Sequence, residues 1–423
     1  VTLNLSPMPH DAKKRVLPIV FLTVFIDMLG FGVLIPVIPQ LLGNPESPFY
    51  LLPPSVSLST AYFLLGLLLA SFPFAQFLAA PILGQLSDRY GRKKVLAISL
   101  TGTCVSYVLF AIGLLLRNIP LLFAARLLDG FTGGNVSVAQ AAIADVTEPK
   151  DRAKSFGMIG AAFGLGFILG PFIGGKLSDP SVVSWFSAST PFWFAAILSA
   201  ANVLSVLARF PETVAHPQHG LAIRWHQAFM HLKSAFSMRG MRALFASVFF
   251  YSSGFGFFVT FLGVFLVARF GYSQGDIGNY FAFVGVCVVL SQGLVVRAVS
   301  GKVKESAVLR FSMVGTGLAI LLSVLAHAPW VLYAAAIPMS IANGLTIANS
   351  TSLVSRSAGP QIQGEILGIN SSLQALSQLF APLIAGGIAS AVSPAAPLFL
   401  AAAACAGAGI FFALTFRRAE KAA

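Results

Sequence analysis

The sequence predicts an all-α membrane protein with twelve transmembrane helices, and three observations support this fold class. First, 57% of the 423 residues are hydrophobic and only 10% are charged, whereas about 25% of the residues of a soluble domain are charged. Second, the apolar residues form runs of the roughly 20 residues that a helix needs to cross a bilayer. Third, the cysteines have neither a disulfide framework nor metal-ligand spacing. A soluble enzyme and a nucleic-acid-binding domain are therefore excluded.

Twelve charge-poor windows are long enough to span the bilayer, and membrane helices tolerate the Gly and Pro residues that several of them contain. The windows are 16–42, 57–83, 95–116, 120–144, 155–178, 190–210, 242–268, 277–299, 307–326, 330–353, 364–390 and 395–416. They are too long and unbroken to be the strands of a β-barrel. The first window is also too long for a cleaved signal peptide, so we expect it to be a signal anchor.

The basic residues predict the orientation of these spans. When successive loops are assigned to alternate sides, 23 of the 27 Lys and Arg residues lie on one side. The positive-inside rule makes this side cytoplasmic and places both termini there. The net charge of +13 is thus an orientation signal and not a binding surface for nucleic acid.

The longest polar break predicts a division into two six-helix halves. We expect an N-terminal bundle over 1–210, a cytoplasmic linker over 211–241 and a C-terminal bundle over 242–423, with a substrate site near the midplane between the bundles. Within the linker, 221–236 has apolar residues at helical spacing, which predicts an interfacial helix on the cytoplasmic leaflet. The linker histidines indicate a solvated segment in preference to a metal site.

The loop after the second span carries a motif with a specific spacing. It reads Gly84-Gln-Leu-Ser-Asp88-Arg89-Tyr-Gly91-Arg92-Lys93-Lys94. Glycine permits a tight turn and a close approach of helices, and Asp88 can pair with Arg92. Four charges at this place could be ordinary positive-inside decoration, but the full spacing resembles the loop 2–3 signature of the major facilitator superfamily. The resemblance implies the major facilitator fold, with two six-helix bundles around a central cavity.

Span five has a stripe of glycines at helical spacing. Gly166, Gly170 and Gly174 share one face, which lets another helix approach closely, and Pro171 removes a backbone hydrogen bond and kinks the helix. Generic packing of small residues is one explanation. Together with Gly175, however, the pattern resembles the span-five antiporter motif of proton-coupled drug exporters.

Ionisable side chains inside spans are costly and therefore indicate function. Asp27 lies roughly 18 Å into the first span at 1.5 Å per residue, and burial disfavours the charged form of a carboxyl group, which suits Asp27 to load and release a proton. Arg126 and Asp129, one turn apart in span four, either pair locally or serve a proton relay. A permanent pair between Asp27 and Arg126 is the structural alternative. The resemblance favours proton coupling, because tetracycline-type exporters carry an acid at the position of Asp27.

The same resemblance implies residues that bind the substrate. Gln76 and Gln292 match glutamines of tetracycline exporters, although a buried glutamine can also serve as an interhelical hydrogen-bond link. Phe257 and Tyr280 are candidates for the apolar wall of the pocket, with lipid-facing or core packing as the alternative for each.

The resemblance also implies a conformational latch on the cytoplasmic side. Asp88, Arg89 and Arg92 are expected to hold that side closed in the outward-open state. In the family, an acid at the position of Asp145 pairs with the arginine that corresponds to Arg92. Glu365 opens span eleven near the expected docking position of Asp88.

The predicted function is export of a small amphipathic, drug-like molecule in exchange for protons, by alternating access, with the proton gradient in place of a cofactor. The resemblance is closest to the tetracycline-resistance exporters and implies a monomer in a bacterial inner membrane. Three departures weigh against tetracycline itself: Ser106 replaces an acid, Val288–Leu290 replaces a histidine, and 297–305 has lost the second copy of the loop signature.

Other functional classes remain open at this point. An uptake carrier or facilitator of a metabolite, such as a sugar or an organic anion, is the alternative within transport. A lipid-handling protein on the same fold is an alternative outside it. An enzyme is not expected, because the spans contain no converging catalytic constellation.

Overall fold

The computed structural model describes residues 10–147, 152–214, 241–299, 302–356 and 363–422, and all regular structure in these ranges is helical. The helices are α1 (His10–Leu42), α2 (Leu58–Tyr90), α3 (Arg92–Leu115), α4 (Ile119–Thr132), α5 (Asn135–Val146), α6 (Arg152–Leu177), α7 (Thr190–Arg209), α8 (Arg242–Phe270), α9 (Gln274–Leu290), a π-helical turn (Ser291–Val296), α10 (Arg297–Val299), α11 (Glu305–Val324), α12 (Pro329–Arg356), α13 (Gln363–Ala391) and α14 (Ala396–Ala422).

Eleven described helical segments are long and apolar enough to cross a membrane. The chain is therefore a multi-pass membrane protein, as its composition predicts. Except for span four, each predicted window corresponds to one helical segment, and the predicted ends differ from the observed ones by at most seven residues, as at Tyr90 at the end of α2. The thickness of the bilayer sets this agreement, because a spanning helix cannot be much shorter than about 20 residues.

For span four, the prediction of one helix over 120–144 is wrong, because two helices occupy this window. α4 ends at Thr132 and α5 begins at Asn135, while Gly133 and Gly134 between them have ψ angles of 2° and 1° and leave the helical path. Gly134 packs closely on α2, where an added Cβ would lie 2.8 Å from the Cα of Ala80. The break thus places a glycine where a neighbouring backbone leaves no room for a side chain.

The described helices fall into two compact units. The first unit lies within Val1–Leu34 and Phe74–Trp225, and the second within Ile35–Pro73 and His226–Ala423. Helices α1 and α2 therefore each contribute one part to both units. The division into bundles at 211–241 stays a prediction, and the predicted interfacial helix over 221–236 lies outside the described residues.

Small aliphatic side chains fill a core of the first unit, where α1, α3, α5, α6 and α7 meet. Its fully buried members include Val24 of α1 and Val138 of α5. Small residues bring these helices close together and so fix the positions of the polar residues one turn away, Asp27 after Val24 and Asn135 before Val138.

In the second unit, α9 has a defined start and an irregular end. The hydroxyl of Ser273 accepts a hydrogen bond from the backbone N–H of Asp276, and the Asp276 carboxylate accepts one from the backbone N–H of Ser273. This capping box accounts for an acid at the end of a span. At its other end, α9 continues into the π-helical turn, a feature that often lies at functional sites.

Candidate functional site

The glycine stripe of α6 packs on α1 within the first unit. A Cβ added to Gly166, Gly170 or Gly174 would lie between 2.6 and 2.8 Å from atoms of α1. In return, a Cβ added to Gly32 would lie 2.7 Å from the Cδ of Pro171. The backbones of the two helices therefore touch, and the residues of the predicted antiporter motif hold α1 in position. Gly175, the last of them, is also buried.

Asp27 lies on this fixed stretch of α1. Both of its carboxylate oxygens are buried and accept no hydrogen bond within the described ranges. The side chain of Asn135, at the start of α5, acts directly on this carboxyl group without reaching hydrogen-bond geometry. The alternative of a permanent pair between Asp27 and Arg126 is therefore not what the structure contains.

Arg126 pairs instead with Asp129, one turn along α4. The distance from Nη1 of Arg126 to Oδ2 of Asp129 is 2.9 Å, and the two side chains are only 3% and 7% exposed. Charges buried to this extent persist only when they are paired. Of the two alternatives that the sequence leaves open for Asp129, the local ion pair is therefore formed.

A cleft beside this ion pair contains three residues of α3. Its lining comprises Leu34, Ser106, Tyr107, Phe110, Ala125, Arg126, Asp129 and Phe192. Ser106 lines the cleft together with Asp129, and its hydroxyl donates to the carbonyl oxygen of Thr103 at 2.7 Å.

Tyr107 connects this cleft to α1 and was missed by sequence reasoning. Its side chain is 4% exposed, and its hydroxyl fills the space that a Cβ on Gly30 would occupy. Gly30 lies one turn after Asp27, so the hydroxyl of Tyr107 is between the Asp27 stretch of α1 and the Arg126–Asp129 pair. A polar residue in an apolar span was the available signal.

Gln76, a predicted substrate residue, makes an interhelical bond. Its Nε2 donates to the carbonyl oxygen of Gly133 at 2.8 Å, and this carbonyl belongs to the break between α4 and α5. The alternative role of a buried glutamine, linking two helices, is thus realised in the structure.

The predicted substrate residues of the second unit have different environments. Gln292 lies on the π-helical turn with its side chain exposed. Phe257 is 6% exposed and Tyr280 is 0% exposed, and the ring of Tyr280 packs edge-on against Tyr333 at a centroid distance of 5.5 Å. Core packing therefore describes the environments of Phe257 and Tyr280.

A neutral hydrogen-bonded group in the second unit was also missed by sequence reasoning. The hydroxyl of Tyr251 donates to Oδ1 of Asn343 at 2.7 Å and lies 3.2 Å from the hydroxyl of Thr316. The hydroxyl of Thr346 donates to that of Ser312 at 2.7 Å. These contacts link α8, α11 and α12 through uncharged groups.

Arg92 is the centre of the loop motif. Its Nη2 lies 2.6 Å from Oδ1 of Asp88, its Nε lies 3.0 Å from Oδ2 of Asp145, and its Nη1 donates to the hydroxyl of Ser87 at 2.5 Å. The Arg92 side chain is 8% exposed. Positive-inside decoration does not describe this residue, because exposed charges on a loop need no such partners.

Glu212, directly after α7, completes this cluster and was not identified from the sequence. Its carboxylate accepts hydrogen bonds from the backbone N–H groups of Arg92 at 2.8 Å and Lys93 at 3.2 Å, which are orphan donors at the start of α3. It also fills the space beside Gly91, whose φ of 97° favours glycine. The hydroxyl of Thr213 then donates to Asp145 at 2.9 Å.

The remaining residues of the predicted latch have weaker roles in the structure. The Arg89 guanidinium lies 5.3 Å from the centroid of the Tyr90 ring. A Cβ added to Gly84 would make an ordinary contact at 3.7 Å with Ser137, so no close approach requires this glycine. The side chain of Glu365 is outside the described residues. Within those residues, no group of three or more His, Cys, Asp and Glu could hold a metal ion.

Known proteins similar to this chain are transporters. The family model of the Major Facilitator Superfamily matches residues 20–307 and 293–423. The chain is 31% identical to the tetracycline resistance protein, class C, of Escherichia coli over 382 residues, which are 90% of this chain and 91% of the relative. It is 28% identical to major facilitator superfamily domain-containing protein 10 of Mus musculus, over 91% of this chain and 89% of the relative.

Two solved structures share the fold over nearly all of the chain. The human organic anion transporter MFSD10 (TETRAN) superposes with a TM-score of 0.70 at 26% identity, covering 96% of this chain and 100% of that one. A D-xylose-proton symporter superposes with a TM-score of 0.77 at 16% identity, covering 95% and 97%. At that lower identity the likeness concerns the fold alone.

Proposed function

Because the chain belongs to the major facilitator superfamily, a family of transporters and not of enzymes, we propose that it exports small amphipathic, drug-like molecules in exchange for protons by alternating access. The family, the major facilitator fold and the non-enzymatic class expected from the sequence are confirmed. Proton coupling, the substrate class and the direction of transport form the proposal.

The observation that carries the proposal is the buried, unbonded carboxyl group of Asp27. An acid held in an ion pair is committed to its partner, whereas Asp27 accepts no hydrogen bond in the described structure. A proton removes the charge that burial penalises. In the proposed cycle Asp27 binds the proton, and its deprotonated form draws Arg126 away from Asp129.

The substrate class is supported by similarity. The relative from Escherichia coli is a tetracycline resistance protein, which supports export of drug-like molecules. Of the residues predicted to bind the substrate, Gln292 has an exposed side chain. In contrast, the amide of Gln76 donates to Gly133, and Phe257 and Tyr280 are packed in the core.

The Arg92 cluster is the proposed cytoplasmic latch. Hydrogen bonds to charged groups contribute about 1.5–3 kcal/mol each, so a latch of two or three such bonds is comparable with the available driving force. One pH unit corresponds to about 1.4 kcal/mol per proton, and 100 mV to about 2.3 kcal/mol per charge. The latch can therefore be broken and remade in each cycle.

The location follows from the charge distribution and from the bacterial relatives. We place the chain in a bacterial inner membrane with both termini in the cytoplasm, since 23 of 27 basic residues fall on one predicted side. We expect a monomer, because the substrate path of the proposed fold lies within one chain.

Transport of an organic anion is the second candidate. It is favoured by the similarity to the human organic anion transporter over nearly the whole chain and by Arg126, a buried cation next to a cleft. In this case an anionic substrate would compete with Asp129 for Arg126.

The test is transport by purified protein in liposomes with an imposed pH gradient. Three compounds are offered: tetracycline, fluorescein as an organic anion, and xylose. We expect proton-driven accumulation of at least one compound by the wild type and its loss in Asp27→Asn, with downhill exchange retained.

Asp179→Asn, in the loop after α6, is the matched control and is expected to transport normally. Unchanged uphill transport by Asp27→Asn would refute the role of Asp27. Accumulation of fluorescein alone would support the second candidate.

A further inference from the structure

The break in span four carries a buried side chain to which sequence reasoning assigned no role. Asn135 is the first residue of α5 and is 0% exposed. Neither its Oδ1 nor its Nδ2 has a hydrogen-bond partner within the described ranges. Buried polar groups are nearly always hydrogen-bonded, so an unbonded amide needs a physical explanation.

The packing places this amide opposite Asp27. Val24 of α1 and Val138 of α5 belong to the same buried cluster. Asp27 lies one turn after Val24 and Asn135 lies one turn before Val138. Because spans one and four cross the membrane in opposite directions, both steps lead toward the same side. Asn135 accordingly acts on the Asp27 carboxyl group, and the polar side-chain atoms of both residues are buried and unbonded within the described ranges.

We propose that Asn135 is the hydrogen-bond partner of Asp27 in both protonation states and so positions the transported proton. An asparagine amide has donors on nitrogen and an acceptor oxygen. Nδ2 donates to the carboxylate when Asp27 is charged, and Oδ1 accepts from the carboxylic acid when Asp27 is protonated. Because this inference rests on the proposed proton coupling, its test must be separable from transport.

The proton balance of this step is simple. A proton from water binds one oxygen of the Asp27 carboxylate, and the same proton later returns to water on the other side of the membrane. Asn135 neither gains nor loses a proton. It exchanges a donated hydrogen bond for an accepted one, which requires its amide to turn over.

Few charged or titratable groups face Asp27 from the surrounding helices. Among the described residues these are Asp129 of α4 and Tyr107 of α3, and Arg126 is engaged by Asp129. From α6, the stretch that touches α1 is the glycine stripe. An effect of Asn135 on proton binding is therefore not obscured by a stronger direct partner of Asp27.

Asn202 of α7 is a matched control within the same unit. It is also 0% exposed, but its Nδ2 donates to the hydroxyl of Thr23 on α1 at 3.1 Å. Both asparagines are therefore buried against α1. Asn202 is bonded to Thr23, one turn before Asp27, whereas Asn135 is unbonded and acts on the Asp27 carboxyl group itself.

The experiment is an infrared pH titration of the full-length protein in lipid, without substrate. The band of the protonated Asp27 carboxyl group is identified by its loss in Asp27→Asn. In Asn135→Val we expect this band to change frequency and to persist to a pH about one unit higher, a tenfold change in proton affinity, because the carboxylate has lost its donor. The side chain in Asn135→Thr has nearly the same shape as that in Asn135→Val, but it carries a hydroxyl that can donate and accept a hydrogen bond. We therefore expect Asn135→Thr to restore most of the wild-type titration.

Each outcome decides between the inference and its alternatives. Asn202→Val is expected to lower thermal stability and leave the band unchanged. An unchanged band in Asn135→Val, or an equal shift in Asn202→Val, would overturn the role of Asn135. If the band responds to Asn135 as expected while no compound accumulates in liposomes, the proposed antiport fails and the positioning role stands.

Discussion

The two units differ in whether they bury ionisable groups. In the first unit Asp27 is unbonded, and Arg126 and Asp129 form an ion pair with a distance of 2.9 Å, beside neutral pairs such as Asn202 and Thr23. In the described part of the second unit the buried polar groups are neutral, as in the hydrogen bond of 2.7 Å from Tyr251 to Asn343. Among the described residues, every charged side chain that is buried belongs to the first unit.

This difference determines how each unit responds when a buried charge is lost. A buried ion pair is sensitive to the removal of one charge, because the remaining charge is left without compensation. A closed neutral network has no such weakness, and it makes its part of the core rigid. We therefore expect a change of pH to act on the first unit and to leave the buried neutral network of the second unit unchanged.

The largest expected effect comes from breaking the ion pair of the first unit. Arg126→Leu leaves Asp129 buried and unpaired, which we expect to cost about 3–5 kcal/mol of stability. The double variant with Asp129→Leu removes both charges and should recover most of this loss. Thermal unfolding in detergent measures both changes.

A single variant as stable as the wild type would show that water reaches Asp129 when Arg126 is removed. The contrast between the units would then concern solvent access and not charge burial. The reverse result, with no recovery in the double variant, would make packing of the two side chains the dominant effect.

The sequence was sufficient to predict the helices because the bilayer fixes their length. It was not sufficient to find the break in span four. The glycines of α6 lie inside a continuous helix, whereas Gly133 and Gly134 interrupt one, although both Gly170 and Gly134 meet the backbone of a neighbouring helix closely. Such an approach depends on residues that are distant in sequence.

The same limit, that contacts between distant residues cannot be predicted from local sequence, applies to the candidate site. Asp27 and Arg126 could be identified because a charge in an apolar span is conspicuous. Asn135 and Tyr107 are neutral and common, so their position beside Asp27 emerges only from helix packing. Glu212 accepts a hydrogen bond from a residue 120 positions earlier in the chain, and no local pattern predicts this contact.

The close contact between α1 and α6 provides a test of whether the glycine face of α6 holds Asp27 in place. In Gly170→Ala the new Cβ would lie 2.7 Å from the carbonyl oxygen of Leu29. Overpacking of this kind typically costs about 1–3 kcal/mol, and we expect proton-driven transport to fall with it. Chemical denaturation and transport assays measure the two effects.

Gly164→Ala is the matched control on the same helix, since nothing lies within 4 Å of its added Cβ. Alanine favours a helix interior over glycine by up to about 1 kcal/mol, so this variant should be as stable as the wild type or more stable. Equal losses in both variants would remove the special role of the glycine face.

In the second unit, Tyr251→Phe tests whether the neutral network is structural. The variant removes the hydroxyl that donates to Asn343 and leaves this acceptor without that donor, which costs about 1–3 kcal/mol. We expect lower thermal stability with an unchanged pH dependence of transport. A shift of the pH profile comparable with that of Asp27→Asn would mean that the second unit also takes part in proton coupling.

The smallest expected effect compares the two units at their loop motifs. Glu212 accepts hydrogen bonds from four backbone N–H groups, including those of Arg92 and Lys93, and Glu305, in the first turn of α11, accepts a hydrogen bond from the Ser352 hydroxyl at 3.3 Å. Loss of a helix cap costs about 1 kcal/mol, so we expect this loss in Glu212→Ala. In Glu305→Ala we expect about half of it, since an acid in the first turn contributes roughly 0.3–1 kcal/mol.

Thermal unfolding of both variants at low and high salt separates the two contributions. The effect of Glu305→Ala should fade in high salt, because an exposed charge near a helix end is screened. The effect of Glu212→Ala should persist, because backbone hydrogen bonds are lost with the side chain. If both effects fade equally, Glu212 acts as a surface charge, and the loop cluster of the first unit is no more tightly built than the degraded copy in the second.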